Sequence, residues 1–525
     1  MRFVFQTEPG MQGSRMVNGG KRAAGMAPDR GLAESSLSRT LSWSQPRFAL
    51  LLVLVLAQVI TVLLTWDLWQ VRQVPPNLPV ADIFDFQISF AWVLVASSLL
   101  LVWFPRFGVW FQLVILLMAV SLDQFRFVPQ VFFIWLLMVT VVFDSIVLLV
   151  RWYLAAFWIW TGLHKLLSAD WLGYRSYELL AASNIGLDPA DYYLAFGLIV
   201  GLVEVVLGLL VCFRPRLAAY GCVVLHLGIA FFLLLIVQGR NESVIPWNAS
   251  LAIVGYWILV RAASMKAVSR LEIGCFALFM IIPVGFYFGW VNRTMAHVLY
   301  SENIPRGYVS RQTEPHELIR GWGSLGVPFP NERRILRQYF AATSKSGEKL
   351  HIREPRPFLS DQFWLMTEAG PVEVSQDDFL AGPVPKVTTG LAEGDIDVVR
   401  GVPLNDPRAM FELSEAGVQM RKRDQSSMVF AIVFPPDAFD RSLLDLLVGV
   451  QSIEQIQLSG TSIVDEDLKK LKVLSRLTGI GLDDTAITDA GLKNLVGLNY
   501  LEVIQHQGTQ ITDEAVAKLL GMPSK

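Results

Sequence analysis

Residues 191–213 read DYYLAFGLIVGLVEVVLGLLVCF. Past Asp191 the run carries one charged residue, Glu204, and is apolar on every face. About 20 such residues cross the hydrocarbon core of a bilayer, so the stretch predicts a membrane-spanning helix. Glu204 lies in its middle, where a charged carboxylate costs at least a few kcal/mol unless it is paired. This helix is therefore expected to face other helices, one of which supplies a basic or polar partner.

Further apolar runs occupy roughly 48–65, 88–104, 107–122, 131–150, 152–168, 217–237, 246–262 and 272–290, which makes nine predicted spans. Of the 90 charged residues, 9 fall in 1–45, 25 in 46–290 and 56 in 291–525. The middle is membrane-like, and the last part has the charge density of an ordinary soluble protein. Residues 1–45, polar and basic, are expected to form a disordered cytoplasmic tail. The first apolar run begins near Phe48, too late for a cleavable signal peptide. A net charge of −2 lacks the basic footprint of a nucleic-acid binder. Cys212, Cys222 and Cys275 all lie in apolar runs, which excludes a disulfide framework or a Cys-rich zinc site.

With the N-terminus inside, the inner segments hold 14 Lys and Arg residues and the outer loops hold four, Arg72, Arg126, Arg175 and Arg240. The positive-inside rule then places the N-terminus in the cytoplasm and the C-terminal half on the other side, periplasmic in a bacterium. Other ionisable residues fall within the spans. Asp144 lies in span four, His164 and Lys165 near the outer end of span five, and His226 in the middle of span seven. Lys165, His164 and His226 are the candidate partners of Glu204. Lys165 reads either as a cation snorkelling to the interface or as a functional group. The outer loop RNESVIPWN, residues 240–248, places Trp247 and Asn248 on the same side of the membrane as Lys165.

The stretch FWIWTGLHKLLSADWLGYRSYELL, residues 157–180, resembles the motif of the vitamin K-dependent gamma-glutamyl carboxylase family, the HTTM (horizontally transferred transmembrane) domain. There an apolar helix ends in A-G-x-K-K-L, followed by an acidic-Trp pair and a Gly-Tyr-Ser-like turn. Gly162, Lys165, Leu166, Asp170, Trp171 and Tyr174 match, and Glu204 and His226 stand where later helices carry an acid and a histidine. His164 replaces the first lysine, and the loop SLDQFRFVPQVFF, residues 121–133, keeps Asp123 without an Asn-Asn-His stretch. The resemblance covers about residues 45–290 and fits a divergent member of that superfamily or a DoxX-like relative. It implies that Lys165 is the base acting on vitamin K hydroquinone or another quinone-like, lipid-soluble cofactor, with His164, His226 and Glu204 as catalytic neighbours. Asp170, Trp171, Trp247 and Asn248 would line the cofactor pocket. A desolvated amine can act as a base near neutral pH.

Residues 429–520 repeat at a step of 24: Thr461, Thr485 and Thr509; Ile463, Ile487 and Ile511; Asp465, Asp489 and Asp513; Leu471, Leu495 and Leu519. The pattern resembles leucine-rich repeats, whose period is about 20–29 residues. That implies strands at 456–458, 480–482 and 504–506 on a concave face, and helices at 466–472, 490–496 and 514–520 on the convex one. The repeated Asp is expected to cap the helix that follows it. Gln455, Gln457, Gly479, Gly481, Gln505 and Gln507 are the concave positions open to a protein partner. Residues 291–428, with strand-like stretches at 349–353 and 370–375, predict a soluble linker or small β-rich domain. His297, His316 and His351 are isolated, which suits surface or core histidines.

The expected fold is a multi-span α-helical membrane bundle of about nine helices, followed by a soluble α/β part that ends in a short leucine-rich repeat solenoid. Two functions remain open. One is a membrane enzyme using Lys165, with the repeats recruiting a protein substrate. The other is a non-catalytic anchor or small-molecule carrier that displays the repeats. Convergence of Lys165, Glu204 and His226 in one pocket separates them.

Overall fold

Proline sets where several apolar helices begin. The computed structural model describes residues 45–521 except 74, 82–86, 184, 237–241, 266–268, 302, 311–316, 319–324, 382–404, 423–428 and 451. The expected tail and His316 lie outside the described residues. The apolar half forms α1 (Gln45–Leu64), α2 (Ala91–Trp103), α3 (Pro105–Leu122), α4 (Pro129–Val142), α5 (Val147–Leu166), the short α6 (Ser176–Ser183), α7 (Pro189–Phe213), α8 (Pro215–Phe231), α9 (Ile245–Ala263) and α10 (Arg270–Ile281). Proline is the first residue of α3, α4, α7 and α8. Its missing N–H is no loss there, and its fixed φ suits the first helical turn. A single residue, Phe104 or Arg214, joins α2 to α3 and α7 to α8.

Among the described residues, seven helical segments are long and apolar enough to cross a membrane, and α2 and α4 are shorter apolar helices. The break between the fourth and fifth helices differs from the expected one near residue 151. Phe143 is extended, a short 3-10 turn follows at Asp144–Ile146, and α5 starts at Val147. Asp144 is thus a turn residue, bound to Arg261 at 2.8 Å, and Arg151 is a helix residue. The apolar residues flanking Asp144 hide this turn in the sequence.

The soluble half begins with an antiparallel sheet of order β2-β1-β3-β4-β5. Its elements are β1 (Arg306–Ser310), β2 (Glu317–Leu318), α11 (Arg333–Thr343), β3 (Lys349–Arg353), β4 (Gln362–Thr367), β5 (Gly370–Val374) and α12 (Gln376–Ala381). Leu336 and Phe340 of α11 pack with Leu350, Ile352 and Trp364 in a core that also contains Val62, Leu94, Leu116 and Phe125 of the bundle. One hydrophobic core therefore serves both parts.

The second sheet follows α13 (Pro407–Glu415) and contains β6 (Gln419–Lys422), β7 (Val429–Val433), β8 (Gln455–Gln457), β9 (Gly479–Gly481) and β10 (Val503–Gln505). Strand β6 runs antiparallel to β7, and β7, β8, β9 and β10 pair in parallel. Gln455 lies beside Gly479, and Gly479 beside Val503, so places 24 residues apart fall in register. After β8 comes a helical turn at Asp465–Val473. After β9 comes α14 (Asp489–Leu492), and after β10 comes α15 (Asp513–Leu519). Leu468, Leu471, Leu492 and Leu495 are buried together. The strands start one residue earlier than expected.

The repeated Asp does not cap its own helix. Asp465 accepts from the N–H and hydroxyl of Thr488 at 2.9 and 2.7 Å, and Asp489 does the same with Thr512 at 2.7 and 3.0 Å. Each carboxylate therefore ties one unit to the next. The helix caps are Thr488, which accepts from Ala490 N–H, and Thr512, which accepts from Ala515 N–H.

Candidate functional site

Helices α5 and α7 pack closely from Gly201 to the C-terminus of α7, because small residues let the backbones meet. A Cβ on Gly162 would come within 2.4 Å of the Gly201 carbonyl, and one on Gly208 within 2.7 Å of the Ala155 carbonyl. Close approach through small residues is a usual basis of helix pairing in lipid, where no hydrophobic force drives association. Polar bonds hold both ends. Arg151 donates to the carbonyls of Val211 and Cys212 at 2.9 and 3.1 Å, at the C-terminus of α7. At the other end, Trp171 Nε1 donates to the Gly197 carbonyl at 3.0 Å.

Between these contacts Lys165 Nζ donates to both oxygens of Glu204, at 2.9 and 2.7 Å. Lys165 and Glu204 are buried, and Lys165 Nζ lies 5.3 Å from the centre of the Trp171 ring. The other predicted site residues are held elsewhere. Trp158 Nε1 donates to His226 Nε2 at 3.0 Å, so His226 carries its proton on Nδ1 and donates to Asn248 Oδ1 at 2.7 Å. This chain joins α5, α8 and α9. His164 Nε2 donates to the Ala296 carbonyl at 2.9 Å and Nδ1 accepts from the Tyr287 hydroxyl at 2.8 Å. Trp247 packs against Phe133 and Phe157. The structure thus unites Lys165, Glu204 and Trp171, and it engages His164, His226, Asp170, Trp247 and Asn248 with other groups.

Asp170 forms an ion pair with Arg306, the first residue of β1. Burial opposes ionisation of Asp170, but Arg306, Arg408 and Arg353 outweigh it and hold the carboxyl below its usual range. Arg306 also faces Asp406 and Glu412 at 3.9 and 3.6 Å, and the Tyr308 hydroxyl donates to Asp406 at 3.0 Å. Beside this network Phe411 of α13 sits among Tyr174, Tyr177 and Tyr193 of the bundle. The joint between the two parts is therefore polar at its centre and aromatic at its edge. Arg306, Asp406 and Glu412 carry no motif that would single them out in the sequence.

A family model described as the methylamine utilisation protein MauE matches residues 143–246, less than half of the chain. No curated protein and no solved structure matches. The matched segment holds α5 to α8, including the Lys165–Glu204 pair. It is a different membrane family from the carboxylase one, and no HTTM or leucine-rich repeat model matches. The resemblance to the vitamin K-dependent carboxylase family is therefore overturned. Gly162 and Trp171, which carried much of it, have packing roles in the α5–α7 seam. The chain is a multi-pass membrane protein with a helical membrane part and a soluble α/β part.

Proposed function

We propose that the protein is a non-catalytic membrane anchor that displays its α/β part to a protein partner, with a cytoplasmic N-terminus and the soluble part on the other side. The observation that carries this reading is the closed Lys165–Glu204 pair. A general base needs a free lone pair and reach to its substrate. An ammonium donating to both oxygens of a carboxylate, with an indole alongside, offers neither. An anchor needs only that each intramembrane charge be neutralised. The MauE match supports the membrane setting of α5 to α8.

The partner surface in this reading is the open face of the second sheet, its units stacking as a short solenoid. Gln455, Val503 and Gln505 are exposed there, and the Gln457 side chain lies over Gly481, where a Cβ would leave it no room.

The test is quinol binding to the full-length protein in lipid nanodiscs, wild type against Lys165→Arg. Arginine keeps the pair with Glu204 but cannot give up its proton. The anchor reading expects equal membrane levels and no binding that depends on Lys165. Saturable quinol binding abolished by Lys165→Arg at normal expression overturns it.

A further inference from the structure

A slot of about 460 Å³ lies between α4, α5 and α10 and is closed on one side by the chain that follows α10. It runs beside α4 from Pro129 to Leu136 and beside α5 from Leu149 to Phe157, a reach of about 12 Å at the helical rise. Its volume falls in the small-molecule range of about 300–1,000 Å³. Met295, on its wall, is exposed, so the slot has a mouth. Lys165 and Glu204 do not line it, and neither does any other Asp, Glu, Lys or Arg among the described residues.

Two polar side chains stand in this apolar wall: Tyr153 of α5, and His297 of the chain after α10. Ala296 and Val298, on either side of His297, are buried with Phe286 and Ile304, and His164 holds the Ala296 carbonyl. Between them His297 takes a left-handed backbone with φ of 61°, which a residue with a Cβ adopts only at a cost. Its ring packs edge-on against Tyr153 and Phe157, with centroids 5.2 and 5.5 Å apart. The fold thus holds an imidazole and a phenol together on the slot.

Neither the His297 ring nor the Tyr153 hydroxyl has a hydrogen-bond partner among the described residues. His297 is only 7% exposed and Tyr153 is half-buried, yet neither polar tip is sealed inside the packing. Both lie on the cavity wall, so the surface they keep faces the slot. Buried polar groups are normally satisfied, and a pair left open on a cavity calls for a guest that bonds them.

The chemistry of the wall selects that guest. A neutral imidazole offers one N–H and one lone pair, and a phenol both donates and accepts. A hydroxyl can donate to one group while it accepts from the other. A carboxylate or phosphate would be buried there with no cation to neutralise it, and a plain hydrocarbon would leave both tips unpaired. We propose that the slot binds an uncharged lipophilic alcohol. Its hydroxyl donates to His297 and accepts from Tyr153, and its chain lies along α4 and α5.

The test is scintillation-proximity binding of radiolabelled hexadecanol, palmitate and hexadecane to the full-length protein in detergent, one chain length with three heads. Hexadecanol should saturate one site and bind at least about tenfold more tightly than either of the others. Tyr153→Phe keeps the ring packing and should weaken hexadecanol about fivefold, the loss of one hydrogen bond. His297→Phe should do the same, with thermal unfolding of each variant checking that it folds. Equal binding of the three probes, a preference for palmitate, or unchanged hexadecanol affinity in both folded variants overturns the proposal.

Discussion

Asp170, just past the end of α5, and Arg306, at the start of β1, form a largely buried ion pair across the joint between the membrane bundle and the soluble part. Removing one member of such a pair strands the other, which typically costs about 3–5 kcal/mol. Arg306→Ala should therefore lower unfolding stability in detergent by about that much, since buried Asp170 loses its ion-pair partner. Asp170→Asn combined with Arg306→Met should cost less than Arg306→Ala alone. A double-variant cycle with no coupling would show that the pair contributes nothing.

The α5–α7 seam should tolerate no bulk at its glycines. Gly208→Val places side-chain atoms where the Ala155 carbonyl and Ile159 stand. The backbones must then part, and the Lys165–Glu204 and Arg151 bonds part with them. Folded protein recovered from membranes should fall sharply, whereas Gly228→Ala, at a site with open space, should leave it unchanged. Equal yields would refute the close packing.

Lys349 offers a pH test outside the spans. Burial, aided by Lys472, lowers its pKa from 10.5 to about 8, and its ammonium donates to the Phe379 carbonyl at 2.5 Å. Between about 8 and 10.5 the unfolded chain binds more protons than the folded one, so this group makes stability rise with pH across that window. Lys349→Met should be more stable than wild type at pH 7 by about 1–3 kcal/mol. The advantage should fade above about pH 10, when the unfolded lysine also becomes neutral. A difference independent of pH would rule out the buried charge as its cause.

In the repeats, Gly460, Asp484 and Gly508 hold equivalent left-handed positions, with φ of 72°, 57° and 72°. Asp484 alone bears a side chain there, and that conformation strains residues with a Cβ. Asp484→Gly should raise stability by about 0.5–1 kcal/mol, measured by denaturant unfolding. A loss of stability would mean that the Asp484 carboxylate makes a contact worth more than the strain.

The helical half was legible because lipid imposes apolar composition over each long run. Glu204 was legible too, since the cost of a mid-span carboxylate demands a partner, and Lys165 is that partner. The turn at Asp144 was not, because one charge amid apolar residues resembles a residue inside a span. The partners of His164 could not be read either: the Ala296 carbonyl lies 132 residues away and leaves no side-chain signature. The carboxylase-like motif misled because Gly162 and Trp171 are what a tight helix pair needs, whatever chemistry surrounds it. The 24-residue step fixed strand register to within one residue, but the direction of the Asp bonds depends on stacking that one unit alone does not reveal.

The core shared by α1, α2, α3, α11 and β3 bears on how this protein can be handled. A fragment cut at residue 291 would carry Leu336, Phe340, Leu350, Ile352 and Trp364 without Val62, Leu94, Leu116 and Phe125 to cover them. Its hydrophilic composition suggests a ready soluble reagent, yet its first sheet would present half a core to water. Truncations made to separate the two parts would then report on an orphaned interface, so studies of the soluble part need the membrane helices attached.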